Sequence, residues 1–284
     1  TIAMAWRHVL YPSHRTVYQH GWQRVHFAPL SIQKITIAMT KVLGTAAVLI
    51  LGLTVTATSS AAQDRAVSEL NAEASVDYEW AELGYSGFDD DLTTLGGNVA
   101  VYAPVGKYFG AFVWGRLERS EFEYEDGDSS RYDTNHYSIG GFIRRSDLGA
   151  FALSARGWEF EGRSSKVQED FYGALLAFYG KAFTLSTDVM FDTNNEGEAG
   201  TAQATWYVRP NVLLGVSTGI LDMQQSYSVF AESQIGASGF SFGALLFRDE
   251  SSFPYDSARI TLSYRFAKPK TLIERYRNDL MTLR

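Results

Sequence analysis

The stretch that most constrains the fold is residues 258–266, in which polar and apolar side chains alternate. Its apolar positions are Ile260, Leu262, Tyr264 and Phe266. The intervening polar positions are Arg259, Thr261, Ser263 and Arg265. A period of two is typical of a β-strand whose two faces have different surroundings. An arginine-bearing face opposite a wholly apolar face predicts a strand with lipid on one side and water on the other.

The same alternation recurs along the chain and predicts an all-β fold with twelve strands. The predicted strands are residues 71–80, 93–103, 108–118, 136–144, 150–160, 171–179, 183–192, 201–208, 212–221, 227–235, 240–247 and 258–266. Short turns alternate with longer polar loops, the longest at residues 119–135. This pattern is typical of a 12-stranded antiparallel transmembrane β-barrel with short periplasmic turns and longer outer loops. Residues 171–176 are apolar on both strand faces, which indicates a plug in the lumen beside them.

Composition favours a barrel over the other classes of protein. The chain has 18 Phe, 16 Tyr and 6 Trp, and many of these lie near predicted strand ends, where they predict two membrane girdles. A mean hydropathy of −0.14 fits a barrel because half of each strand faces water. The chain has no Cys, which excludes disulfides and thiol chemistry. The alternative fold is a soluble β-sandwich with the aromatic residues in its core.

The run at 258–266 resembles the terminal strand of Gram-negative outer-membrane β-barrels, in which hydrophobic residues alternate and a Phe comes last. The resemblance implies a porin-like barrel in the bacterial outer membrane, in contact with outer-membrane lipid and lipopolysaccharide. It also implies that Tyr264 and Phe266 form the signal that the barrel-assembly machinery recognises. The chain departs from this pattern because 18 residues follow Phe266.

Two segments precede the predicted barrel. Residues 1–38 are basic, lack periodicity and hold four histidines spaced six residues apart, so we expect an upstream extension that is not in the mature protein. Metal binding by this His-rich tract is the alternative. Residues 39–62 have a basic start, an apolar stretch and then small residues, which predicts a signal peptide cleaved after Ala62. A membrane anchor is the alternative for this segment.

The barrel itself is predicted to occupy residues 63–266, followed by a periplasmic C-terminal tail at 267–284. The tail is basic, and Leu272, Ile273 and Tyr276 could share one face of a helix. We expect this tail either to lie at the periplasmic membrane surface or to fray.

Alternation also predicts which charged side chains line the lumen. They are Glu73, Asp77, Glu79, Arg116, Glu118, Arg144, Arg156, Asp188, Arg209, Glu232, Arg259 and Arg265. Both signs occur, which is typical of a porin-like passive channel whose rows of acids and bases create a transverse field. We therefore expect small hydrophilic solutes and no cofactor. The alternative is a filled structural barrel whose internal salt bridges leave no path.

Net charge limits the partners further. After residue 62 the chain holds 20 bases against 32 acids, a net charge of −12. Such acidity argues against nucleic acid as a partner and weakly favours cations as the conducted ions. The acidic loops, which include Asp89, Asp90 and Asp91, lack the spacing of an EF-hand, so solvated loops are expected and calcium binding is the alternative.

An outer-membrane lipid hydrolase is the rival functional class. His136 and Ser138 lie two residues apart on one strand face, which is similar to the His-x-Ser arrangement of lipid A deacylases. Any His-based catalysis after signal cleavage would need His136, the only histidine left. Alternation turns both side chains toward the lumen, away from lipid, and no third catalytic residue is evident. We therefore predict that the protein is not an enzyme.

A barrel of twelve strands must close by pairing its first strand with its last. This pairing predicts that Arg259 and Arg265 face Glu73, Asp77 and Glu79 across the seam.

Overall fold

The computed structural model describes residues 66–67, 69–85, 88–123, 129–162, 166–192, 198–221, 224–236, 238–250, 255–266 and 270–278. The predictions for residues 1–38 and 39–62 lie outside these ranges.

Twelve antiparallel strands account for almost all of the described residues. They are β1 (Asn71–Tyr85), β2 (Phe88–Pro104), β3 (Phe109–Glu123), β4 (Ser129–Arg145), β5 (Gly149–Glu161), β6 (Lys166–Tyr179), β7 (Phe183–Asp192), β8 (Glu198–Arg209), β9 (Val212–Leu221), β10 (Gln224–Gln234), β11 (Phe240–Asp249) and β12 (Tyr255–Arg265). Each strand pairs with its neighbours in sequence, and β12 pairs with β1, so the sheet closes into a barrel. The predicted 12-stranded antiparallel barrel is confirmed.

The seam between β1 and β12 has the register that the sequence predicted. Glu73 lies opposite Arg265, and Glu79 lies opposite Arg259. Arg265 donates from Nε to Glu73 at 2.7 Å, and Arg259 donates from Nε to Glu79 at 2.9 Å. Both ion pairs lie on the inner face, so they join the first and last strands from within the barrel.

Large apolar side chains cover the outside of the barrel. Ile139, Leu153, Tyr172, Val229 and Leu246 each expose more than half of their surface. Such a continuous apolar exterior would be unstable in water, whereas a bilayer provides matching surroundings. The soluble sandwich is therefore wrong, because its apolar side chains would be packed between two sheets.

Five short connections lie at one end of the barrel, at residues 105–108, 146–148, 180–182, 210–211 and 235–239. We call this end the turn end and the opposite end the loop end. The strands at the loop end run further than predicted, because β3 extends to Glu123 and β4 begins at Ser129. The loop predicted at 119–135 is therefore mostly paired strand.

The aromatic girdles form only in part. Phe109, Trp206 and Phe240 are exposed near the turn end, and Trp80 and Tyr137 are exposed nearer the loop end. Other aromatic residues near strand ends are buried inside the barrel and do not join a girdle. These inward residues are Tyr102, Trp158, Phe171, Tyr179 and Tyr207. They occupy inward positions of the alternation, so closeness to a strand end did not determine which way they point.

A short helix, α1 (Leu272–Asn278), follows β12 and begins with a capping box. The Thr271 N–H donates to Glu274 Oε2 at 2.8 Å, and the Glu274 N–H donates to Thr271 Oγ1 at 3.4 Å. The hydrogen bond from the Thr271 backbone lowers the pKa of the Glu274 carboxyl group. In the part of the chain that the structure describes, no helix is long and apolar enough to cross a membrane.

Helix α1 lies in the turn end of the barrel rather than on the membrane surface. The Ile273 N–H donates to Pro210 O at 3.1 Å, and the Leu272 N–H donates to Asn211 Oδ1 at 3.3 Å. Arg277 donates to the carbonyl oxygen of Gly180. The expectation that this part of the tail lies at the surface or frays is wrong, because its apolar side chains find a buried site inside the barrel.

Closure of the barrel predicts a specific cross-link. Val76 and Leu262 are paired across the seam, so cysteines at these two positions should form a disulfide on oxidation. The pair Val76→Cys and Val229→Cys is the matched control, since β10 lies three strands, or about 14 Å, from β1. Mass spectrometry of the remaining free thiols reads out both variants, and equal thiol loss in the two would contradict the closed sheet.

Candidate functional site

The lumen is the site that the predicted charged residues define, and eleven of the twelve lie on its inner face. These are Glu73, Asp77, Glu79, Arg116, Glu118, Arg144, Arg156, Asp188, Glu232, Arg259 and Arg265. Arg209 is exposed beside the turn between β8 and β9. A register shift between Tyr207 and Arg209 breaks the alternation there, which is why the sequence pattern misplaced this side chain.

One ion cluster lies on the wall formed by β1 to β4. Arg116 donates to both carboxylate oxygens of Asp77, at 2.9 and 2.7 Å, and to Glu118 at 2.6 Å. Glu118 also contacts His136 Nε2 at 3.1 Å. A Cβ at Gly96 would lie 2.7 Å from both Arg116 and Asp77. Because Gly96 on β2 has no side chain, Arg116 on β3 has space to reach Asp77 on β1.

The opposite side of the seam extends this cluster. Arg259 on β12 binds Glu79 and lies 3.9 Å from Asp77, so the two groups of charges are continuous. Ser257 donates a further hydrogen bond to Glu79 at 2.7 Å. Three carboxylates and two guanidinium groups, with a bidentate contact between Arg116 and Asp77, form a rigid inner wall rather than a row of free charges.

The same arrangement recurs on β5 to β7. Arg156 donates to both oxygens of Asp188, at 2.6 and 2.7 Å, across the intervening β6. A Cβ at Gly173 on β6 would lie 2.6 Å from Arg156 Nε. The sequence analysis identified the charged residues but missed Gly96 and Gly173. A glycine inside a strand often marks a place where another group approaches the backbone closely, and this signal was available in the sequence.

A second buried cluster links the seam to α1. Arg265 is 2% exposed and donates to Glu73 at 2.7 Å, to Glu232 at 2.7 Å and to Ser241 Oγ at 3.0 Å. The hydroxyl group of Tyr276, on α1, donates to the other oxygen of Glu232 at 2.6 Å. The sequence predicted the bond to Glu73, but Tyr276 was missed because nothing placed the tail inside the barrel.

The turn end of the lumen is closed by an apolar layer. Its main side chains are Phe112, Phe142, Leu175, Tyr179, Tyr207, Leu213 and Phe230 from the strands, with Val67, Leu272 and Tyr276 from the two flanking segments. Leu175 and Tyr179 belong to β6, the strand beside which the sequence predicted a plug. Arg144 donates to the carbonyl oxygen of Ala66 at 3.1 Å. This hydrogen bond holds residues 66–67, which precede β1, in the turn end of the barrel, so Arg144 does not line an open channel there.

The inner face of β7 to β10 is different, because its described residues include no Lys or Arg. Ser186, Gln203, Ser217 and Ser228 lie in one row across the four strands, with Thr184 and Thr205 in the next row. We call these six residues the hydroxyl wall. A small cavity adjoins it, lined by Thr184, Gln203, Thr205, Tyr207, Leu213, Phe230 and Tyr276.

His136 and Ser138 both face the lumen, as alternation predicted. Ser138 is buried, and in the part of the chain that the structure describes its hydroxyl group has no hydrogen-bond partner. His136 is bound to Glu118, which Arg116 also holds. The described residues contain no group of three or more His, Cys, Asp or Glu placed to hold a metal ion.

Neither a family model nor a curated protein sequence matches this chain. Among solved structures, it is similar to the translocator domain of the autotransporter NalP from Neisseria meningitidis, with 14% identity, a TM-score of 0.42, and coverage of 82% of this chain and 98% of that one.

Two further structures are similar to a comparable degree. An outer membrane channel from Pseudomonas putida F1 has 11% identity and a TM-score of 0.49, covering 74% of this chain and all of that one. The outer membrane phospholipase of Salmonella typhi has 6% identity and a TM-score of 0.46, covering 67% and 90%. All three identities are below 25% and all three TM-scores are below 0.5, so these likenesses do not select a function.

Removal of Arg265 tests the energetic role of the second cluster. Arg265→Ala removes the guanidinium group that binds both the half-buried Glu73 and the buried Glu232, so the free energy of unfolding should fall by about 3–5 kcal/mol. Arg265→Lys should be intermediate, because one ammonium group cannot reproduce the planar contacts. Urea titration of protein refolded in lipid vesicles, followed by tryptophan fluorescence, measures both. Arg209→Ala, at an exposed arginine, is the control; equal stability of the two alanine variants would contradict this role.

Proposed function

We propose that this protein is a passive, porin-like channel for small hydrophilic solutes in the bacterial outer membrane. The observation that carries the proposal is the contrast between the two faces of one closed sheet. The exterior is apolar all round, whereas the interior carries charged and hydroxyl groups from the middle of the barrel toward its loop end. A polar interior surrounded by lipid is the arrangement that lets water and solutes cross a bilayer.

Helix α1 gives this channel a closed state. Leu272 is fully buried in the apolar layer, and Tyr276 is bound to Glu232, so the helix blocks the turn end. Helix α1 is held by the buried side chains of Leu272, Arg275 and Tyr276, by Arg277 over the Tyr207 ring, and by hydrogen bonds to the turns at residues 180–182, 210–211 and 235–239. Conduction therefore requires α1 to leave the mouth, while the barrel wall, paired along its whole circumference, stays intact.

A filled structural barrel is the second candidate, and the apolar layer is the observation that favours it. If α1 never leaves, the protein anchors in the membrane without conducting. The lipid hydrolase has less support, because His136 and Ser138 open onto the lumen while a lipid substrate would approach from the outer surface.

Planar bilayer recordings distinguish the channel from the filled barrel. We expect the unmodified chain to stay closed for most of the recording. Leu272→Asp should conduct continuously, because an unpaired carboxylate costs several kcal/mol in an apolar layer and drives α1 into water. Val105→Asp places the same charge on an exposed residue of the turn between β2 and β3 and should behave as the unmodified chain.

Heat-modifiable migration on gels confirms that each variant is folded. A folded Leu272→Asp barrel that conducts no current would overturn the channel proposal and leave the filled barrel.

A further inference from the structure

The hydroxyl wall offers solutes a different surface from the rest of the lumen. Its row of Ser186, Gln203, Ser217 and Ser228 is continuous, since each member is paired in register with the next strand's member. Ser217 and Ser228 hydroxyl oxygens lie 2.7 Å apart. Gln203 Nε2 donates to Thr205 Oγ1 at 3.0 Å in the neighbouring row. Each of these groups can donate and accept hydrogen bonds.

The wall ends at the cavity beneath α1. Thr184 is 6% exposed, and its hydroxyl group has no hydrogen-bond partner among the described residues. Thr184, Gln203 and Thr205 line the cavity together with Tyr276, a residue of α1. When α1 leaves, the cavity opens to the turn end and becomes continuous with the wall.

The arginines of the lumen lie on other strands and are bound to carboxylates, including the two carboxylates on the inner face of the wall's own strands, Asp188 on β7 and Glu232 on β10. Arg116, Arg156, Arg259 and Arg265 each bind one or more carboxylates within the protein. Asp188, the charge closest in sequence to the wall, has both oxygens bound by Arg156. Among the described residues of β7 to β10, no Lys or Arg lies on the inner face.

From these observations, and resting on the proposed channel function, we propose that the solutes are small, neutral and polyhydroxylated, such as sugars, and that they pass along the hydroxyl wall. A sugar hydroxyl both donates and accepts, so it can replace its water contacts with contacts to serine, threonine and glutamine as it moves. A charged solute loses more hydration and finds no unpaired charge on the wall to compensate it. Neutral solutes are therefore favoured over ions of the same size.

Liposome swelling compares three solutes of similar size: glucose, glucuronate as the anion and glucosamine as the cation. Proteoliposomes carry the Leu272→Asp variant, whose mouth is open. We expect glucose to enter several-fold faster than either charged analogue. Faster entry of a charged analogue would contradict the preference for neutral solutes, but it would not contradict the proposal that the protein is a channel.

Two double variants test whether glucose passes along the hydroxyl wall. Thr184→Val together with Thr205→Val removes two wall hydroxyl groups at nearly constant volume and should slow glucose entry about three- to tenfold, the effect expected for one or two lost hydrogen bonds. Thr94→Val together with Thr261→Val, at inward threonines of β2 and β12, is the matched control and should leave glucose entry unchanged. Equal rates in the two double variants would overturn the path along the wall.

Bilayer conductance of the same preparations separates this inference from the proposed function. Current without glucose entry contradicts the inference alone. Absence of both current and swelling in folded Leu272→Asp barrels contradicts the channel, and the inference with it.

Discussion

Pairing of β1 with β12 is the contact on which the rest of the structure depends. In a bilayer no water is available to satisfy the backbone groups of a free strand edge, so an open sheet would leave one row of donors and acceptors unpaired on each side. The seam removes both edges, and the ion pairs of Glu73 with Arg265 and of Glu79 with Arg259 reinforce it from inside. The register of these pairs also fixes which side chains point inward.

Once the sheet is closed, every second side chain must fit into an enclosed space. The protein does so in two ways. In the middle, arginines reach carboxylates two strands away over Gly96 and Gly173, so buried charges remain paired. At the turn end, aromatic and aliphatic side chains meet the chain's own flanking segments, and α1 completes an apolar layer. Beside this layer, a small cavity adjoins the hydroxyl wall.

The sequence was informative wherever a period of two decided the outcome. Strand number, closure, the seam and eleven inward charges all followed from alternation, because a closed barrel gives each strand one lipid face and one inner face. Arg209 was misplaced because a local register shift breaks the period. The burial of Tyr276 was missed because it depends on a contact with Glu232, 44 residues earlier in the chain, and no local pattern records such a contact.

Hydrogen–deuterium exchange in lipid bilayers tests whether the barrel is closed and whether α1 seals its turn end. We expect slow exchange in β1 and β12 and measurable protection across residues 271–276, whose amides are bonded to the turns and within the helix. In Leu272→Asp, protection should be lost in α1 alone. Exchange of α1 in the unmodified protein at the rate of an unstructured peptide would contradict the seal, and fast exchange in β1 and β12 would contradict the closed sheet.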